Sequence, residues 1–234
     1  MPLPPQGSCS RLAWQLVDAC KAIQESDDPP VAVVLRSGPA AFWLEAPQSA
    51  ADCDAATEAW AAATAAVAGL APPTVAVIEG DAIGPAWELA LACDLRLAST
   101  AARVGSPEIQ WGRIPAAGGT QRLTRLVGPS AALRLLLLGE ILGGQRAFDL
   151  GLVDRLSEPA AVDAVLDELL ASLRLAAPIA LAYVKEATRT GIQLPLPDGL
   201  RLEADLSALL QTTADRAEGI QAFQERRPPR FAGR

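Results

Sequence analysis

The stretch Thr74-Val75-Ala76-Val77-Ile78-Glu79-Gly80-Asp81-Ala82-Ile83-Gly84-Pro85-Ala86-Trp87-Glu88-Leu89-Ala90-Leu91-Ala92-Cys93 decides the fold. Its opening is a continuous apolar, β-branched run, the pattern of a strand buried on both faces. Gly80 to Gly84 reads as a turn. Pro85 opens a short helix that runs to Cys93, since proline suits the first helical position. Trp87, Leu89, Ala90, Leu91 and Ala92 leave that helix no polar face, so it belongs in a core. Leu95-Arg96-Leu97-Ala98 follows as a further strand. Strand, turn, buried helix and strand with such short connections predict an α/β fold with parallel pairing.

Working outward, Val31 to Arg36 is a second buried strand upstream, between helices predicted from about Cys9 to Glu25 and from Ala51 to Leu70. Downstream, Pro107-Glu108 and Ile114 to Gly119 read as loops. Helices are expected from Thr120 to Val127, stopped by Gly128, then from Ser130 to Leu138 and from Arg146 to Leu150. Leu152 to Leu156 is a last short strand. Helical patterns then cover about Ala160 to Leu175, Pro178 to Thr190, Leu200 to Thr213 and Ala217 to Arg226. The division expected is an α/β core over residues 1–157 and a helical region over 158–234 that packs on another subunit.

The composition excludes several classes of function. Half of the 234 residues are hydrophobic and a fifth are charged, which suits a globular chain able to bury a large core. A formal net charge of −7 argues against a broad nucleic-acid surface. There is no histidine, which removes imidazole bases, Ser-His-Asp and Cys-His catalysis and His-ligated metal. No metal site is expected. Cys9, Cys20, Cys53 and Cys93 show no C-x-x-C spacing and read as small hydrophobes in a reducing compartment. The first residues lack the basic and apolar segments of a secretory signal, and Pro72-Pro73 interrupts the most membrane-like stretch, so the expected location is cytoplasmic with no membrane partner.

Two glutamates stand out against this background. Glu88 lies in the apolar helix, and Glu108 lies in Val104-Gly105-Ser106-Pro107-Glu108-Ile109-Gln110-Trp111-Gly112. A lone first-turn Glu is favoured by the helix dipole with no function at all, and a Glu after proline is most often solvated. Burial changes that reading. A carboxylate deprived of water has a raised pKa, and two converging on one cavity can exchange protons with a substrate near neutral pH. The helix start beside them offers free N–H groups to developing negative charge.

These residues resemble the enoyl-CoA hydratase/isomerase (crotonase) family. The likeness lies in Ala82-Ile83-Gly84-Pro85-Ala86-Trp87-Glu88-Leu89-Ala90-Leu91-Ala92-Cys93-Asp94, then Pro107-Glu108 through Pro115, then Gly118-Gly119-Thr120-Gln121-Arg122-Leu123, in order and spacing. It continues more weakly to Glu218-Gly219-Ile220-Gln221-Ala222-Phe223. The resemblance implies a spiral of ββα turns with a helical C-terminal trimerisation region. It implies a homotrimer or a hexamer, and an acyl-CoA substrate in which coenzyme A is part of the substrate and no separate cofactor is needed. It also implies that Glu108 protonates the α-carbon of a 2-enoyl thioester while Glu88 activates and orients the water.

The chain departs from the family pattern in three places. Pro85 falls where a glycine N–H serves as an oxyanion donor, and proline has none; Ala86 offers the next one. Leu44 takes the other donor position, with Leu44-Glu45 in place of a small Ala-Gly pair. Leu3-Pro4-Pro5 is a loose match to the start of the pattern, so the opening hairpin is expected to be missing. The candidate oxyanion and thioester-binding residues are therefore Leu44, Gly84, Pro85 and Ala86. Two classes remain open: an acyl-CoA enzyme acting as hydratase, isomerase or hydrolase, and an impaired homologue that only binds a thioester or a protein.

Overall fold

The structure is a computed structural model and describes residues 9–37 and 50–234. The chain divides into two compact units. The larger runs to Leu166, apart from residues 30–32 and 71–73, and the smaller contains those two short pieces and residues 167–234.

In the larger unit, α1 (Cys9–Gln24) packs on α2 (Ala50–Ala68), and α2 in turn packs on α3 (Pro85–Ala92). A fully parallel sheet has the order β1 (Val33–Ser37), β2 (Thr74–Ile78), β4 (Leu95–Ser99), β7 (Arg155–Ser157). Every residue of β2 is buried, as its unbroken apolar run requires. A smaller sheet joins β3 (Asp81–Ile83), β5 (Arg103–Gly105) and β6 (Ile141–Gly143), with β3 and β5 parallel.

Asp94 and Arg96 flank the start of β4 and tie it to its neighbours. Asp94 accepts from the N–H and hydroxyl of Thr74 at 2.7 and 2.8 Å and so fixes where β2 begins beside it. Arg96 is buried; it donates to the carbonyls of Leu152 and Cys93 and meets Asp154 at 3.2 Å. A buried guanidinium is tolerable because these acceptors satisfy it.

Several elements differ from the sequence reading. The segment 80–84 contains β3, and β5 and β6 lie where no strand was expected. Each has three residues, too few to display a period of two. The break expected at Gly128, by contrast, is present: Gly128 is non-helical at φ 78°, ψ 163° and separates the two helical stretches of α4 (Gly119–Leu138), with Pro129 opening the second. Leu152 and Val153 are core residues that precede β7 rather than belong to it. α5 (Gly144–Asp149) follows β6 directly, and α6 (Val162–Arg174) comes after β7.

The smaller unit contains α7 (Pro178–Gly191), α8 (Leu196–Leu210) and α9 (Ala214–Glu225). α7 meets α8 closely at Gly191 and Gly199, where a Cβ on Gly199 would stand 3.3 Å from the Gly191 carbonyl oxygen. Near the C-terminus Arg227 pairs with Glu218 and Glu225, each at 2.6 Å.

Candidate active site

Pairing of Ile83 with Gly105 brings the ends of β3 and β5 side by side. One strand then turns into α3 and the other into Ser106-Pro107-Glu108. The Gly84 N–H bonds the Gly105 carbonyl at 2.9 Å, which ties the two exits together. Gly84 caps α3 at φ 64°, ψ −131°, a backbone region that suits glycine. A Cβ there would stand 3.2 Å from Glu108 Oε1. Gly84 and Glu108 are therefore in direct proximity.

Glu88 is 1% exposed. Its Oε1 accepts from the N–H groups of Ala117 at 2.8 Å and Gly119 at 2.7 Å. The Ala117 carbonyl is itself held by the Thr64 hydroxyl at 2.9 Å and by Arg122 Nη1 at 2.7 Å. The loop that orients the carboxyl is thus braced from α2 and from α4. A Cβ on Gly119 would come within 2.9 Å of Glu88 Oε1, so the second glycine of Gly118-Gly119 admits the acid. These amides were not singled out from the sequence; the glycine pair after Pro115 was their only visible signal.

Glu108 opens a single 3-10 turn, Glu108–Trp111, that ends at Gly112 with φ 67°. It is 7% exposed, and neither carboxyl oxygen reaches a hydrogen-bond partner on another described residue. Buried acceptors without partners are rare in folded proteins, and at a cleft they face whatever binds there.

Burial pushes both carboxyls up. For Glu88 it outweighs the N–H groups of Gly119, Ala117 and Ala116 and the charge of Arg122. For Glu108 burial is again the largest cause. Its own backbone N–H opposes the rise, the Glu88 charge adds to it and Arg113 opposes it, leaving Glu108 at about 7. The arrangement combines an anchored carboxyl with an unanchored one that titrates near neutrality. That pair can orient a water and deliver a proton.

Of the oxyanion candidates, Pro85 is the first residue of α3 and lacks an N–H. The first helical bond runs from the Glu88 N–H to the Gly84 carbonyl at 3.0 Å. The N–H groups of Ala86 and Trp87 precede it and are the donors this helix start offers. Leu44, with Phe42, Trp43 and Glu45, lies outside the described residues, as does Leu3-Pro4-Pro5. Trp87 is a core residue; with Ser106, Leu123 and Leu152 it lines a cavity of about 10 Å3.

Residues 9–234 match the family described as enoyl-CoA hydratase/isomerase. The chain belongs to that family. It is 42% identical over 165 residues to the 2,3-dehydroadipyl-CoA hydratase of Escherichia coli (strain K12), covering 69% of this chain and 64% of that protein. It is 40% identical over 172 residues to the mitochondrial methylglutaconyl-CoA hydratase of Mus musculus, covering 71% and 54%. The chain thus spans between half and two thirds of the length of these curated relatives. The crystal structure of an enoyl-CoA hydratase from Bacillus anthracis superposes with a TM-score of 0.91 at 33% identity, covering 96% of this chain and 89% of that one. The fold is crotonase-like, with a helical C-terminal region.

Proposed function

We propose that this chain adds water to a 2-enoyl-CoA thioester. What supports the reading is a pair of buried glutamates that follow the tied exits of β3 and β5, Glu88 anchored by two amides and Glu108 raised in pKa by burial and by the Glu88 charge. In the proposed reaction Glu88 accepts a hydrogen bond from water and takes its proton as the oxygen attacks C3. The C2=C3 electrons shift toward the thioester carbonyl, and protonated Glu108 returns a proton to C2. Negative charge on the thioester oxygen faces the start of α3, where Ala86 and Trp87 donate in place of Pro85. Coenzyme A enters as part of the substrate, so the cycle needs no separate cofactor. A homotrimer or hexamer in a reducing, cytoplasmic setting completes the proposal. Buried thiols at Cys20 and Cys93 support that setting. No described helix is long and apolar enough to cross a membrane.

Pro85 favours a second reading, a homologue that binds a thioester but turns it over slowly or not at all. Losing one oxyanion donor costs a factor of about 10²–10³ in rate. Incubating the protein with short and medium 2-enoyl-CoA thioesters and following the 3-hydroxyacyl product separates the two. Turnover supports the hydratase. Saturable binding without product supports the second reading.

A further inference from the structure

Arg113 stands where a cation opposes the proposed chemistry. Its backbone N–H donates to the Glu108 carbonyl at 3.1 Å, so it is fixed to the segment that carries the proton donor. Its side chain is exposed, yet Nη2 is held at 3.1 Å by the neutral hydroxyl of Thr57 on α2. Arg36, Arg96, Arg103, Arg134, Arg201 and Arg227 each meet a carboxylate, whereas Arg113 meets none among the described residues. Its charge nevertheless reaches Glu108 and favours the ionised form, which cannot donate a proton. A tethered guanidinium beside a proton donor makes chemical sense if an anion neutralises it during turnover.

We propose that Arg113 binds a carboxylate at the far end of the substrate's acyl chain, so that the preferred substrates are 2-enoyl-CoA thioesters of dicarboxylic acids. The inference rests on the hydratase reading and names its substrate class. Reach favours the acyl end over coenzyme A. A cation felt at Glu108 is near the carbons being hydrated, while the coenzyme's phosphates stand a whole pantetheine arm beyond the thioester. Trp111 and Ile114, on either side of Arg113, are exposed and apolar, as contacts to intervening methylenes require. The donors that Thr57 leaves open suit a carboxylate, for which the guanidinium fork is shaped.

The test compares kcat/KM for a short 2-enoyl-CoA ending in a carboxylate with its neutral, methyl-ended counterpart, in the wild type, Arg113→Gln and Arg113→Lys. The ratio cancels any general effect on Glu108 or on folding. The wild type should favour the acid, and Arg113→Gln should lower the ratio about ten- to a hundredfold, the range of one charged hydrogen bond. Arg113→Lys should restore part of it. The alkaline limb of the rate profile should also lie at higher pH with the acid than with the neutral substrate, and that difference should vanish in Arg113→Gln. An unchanged ratio overturns the assignment. So does an equal loss on both substrates with weaker inhibition by free coenzyme A, which assigns Arg113 to the phosphates. If the wild type hydrates neither thioester, the hydratase reading is what fails. The anion site is then judged by calorimetry with the saturated acid and neutral acyl-CoA pair, where equal affinity for both in the wild type rejects it.

Discussion

Burial lifts the Glu108 carboxyl from its ordinary 4.5 to about 7, which places its titration where a proton donor works best. In the proposed reaction the protonated form is the one that donates to C2. Hydration should therefore fall as pH rises through about 7, by about tenfold for each further pH unit. A flat rate between about pH 6 and 9 would exclude Glu108 as the donor. The same residue has a cost in stability, with a definite sign. Its folded pKa lies above its unfolded one, so the folded state is favoured by protonation. Stability is fully present below about pH 4 and is lost as pH rises through about 7, by up to about 3 kcal/mol. Glu108→Gln removes that loss while keeping the shape. Urea unfolding should find the variant more stable than wild type at about pH 8 and nearly equal to it at about pH 4. A variant less stable at the higher pH would mean that the carboxylate is solvated or paired.

Elements position these residues, and two substitutions probe how. Gly119→Ala places a methyl 2.9 Å from Glu88 Oε1 and equally near Pro115 Cβ. Such contacts force Glu88 or its loop to move, and a misplaced catalytic group can cost about a hundredfold in kcat. A rate unchanged in Gly119→Ala would show that the anchoring amides are dispensable. Pro85→Gly restores an N–H at the first position of α3 and should raise kcat about tenfold or more, toward the value of one oxyanion donor. An unchanged kcat in active protein would mean that Ala86 or Trp87 already fills the role. Much at this scale was legible in the sequence. The buried β2 run and the all-apolar α3 announce themselves by composition, and Pro85 marks its own place. β3, β5 and β6 do not, because three residues carry no periodicity. The brace on Glu88 was equally hidden. It joins Ala117, Gly119 and Arg122 to a residue about thirty positions earlier and draws in Thr64 from α2, and only the folded chain makes them neighbours. The partners of Asp94 and Arg96 were hidden for the same reason.

At the scale of the molecule, the smaller unit leaves large apolar side chains in water. Leu175, Val184, Ile192, Leu196 and Phe223 are each at least 65% exposed. Scattered exposure of this kind is ordinary, but this many on one set of helices is expected where a partner copy covers them. Light scattering should give three or six times the 24.3 kDa of one chain, and a monomer at all working concentrations would remove the trimer from the proposal. The proposed activity depends on two acids acting on one water. The most direct measurement is the loss of the 2-enoyl-CoA absorbance at about pH 7, for the wild type beside Glu108→Gln of matched fold. The account predicts hydration by the wild type and a loss of at least about a hundredfold in the variant. Equal rates in the two proteins would contradict it.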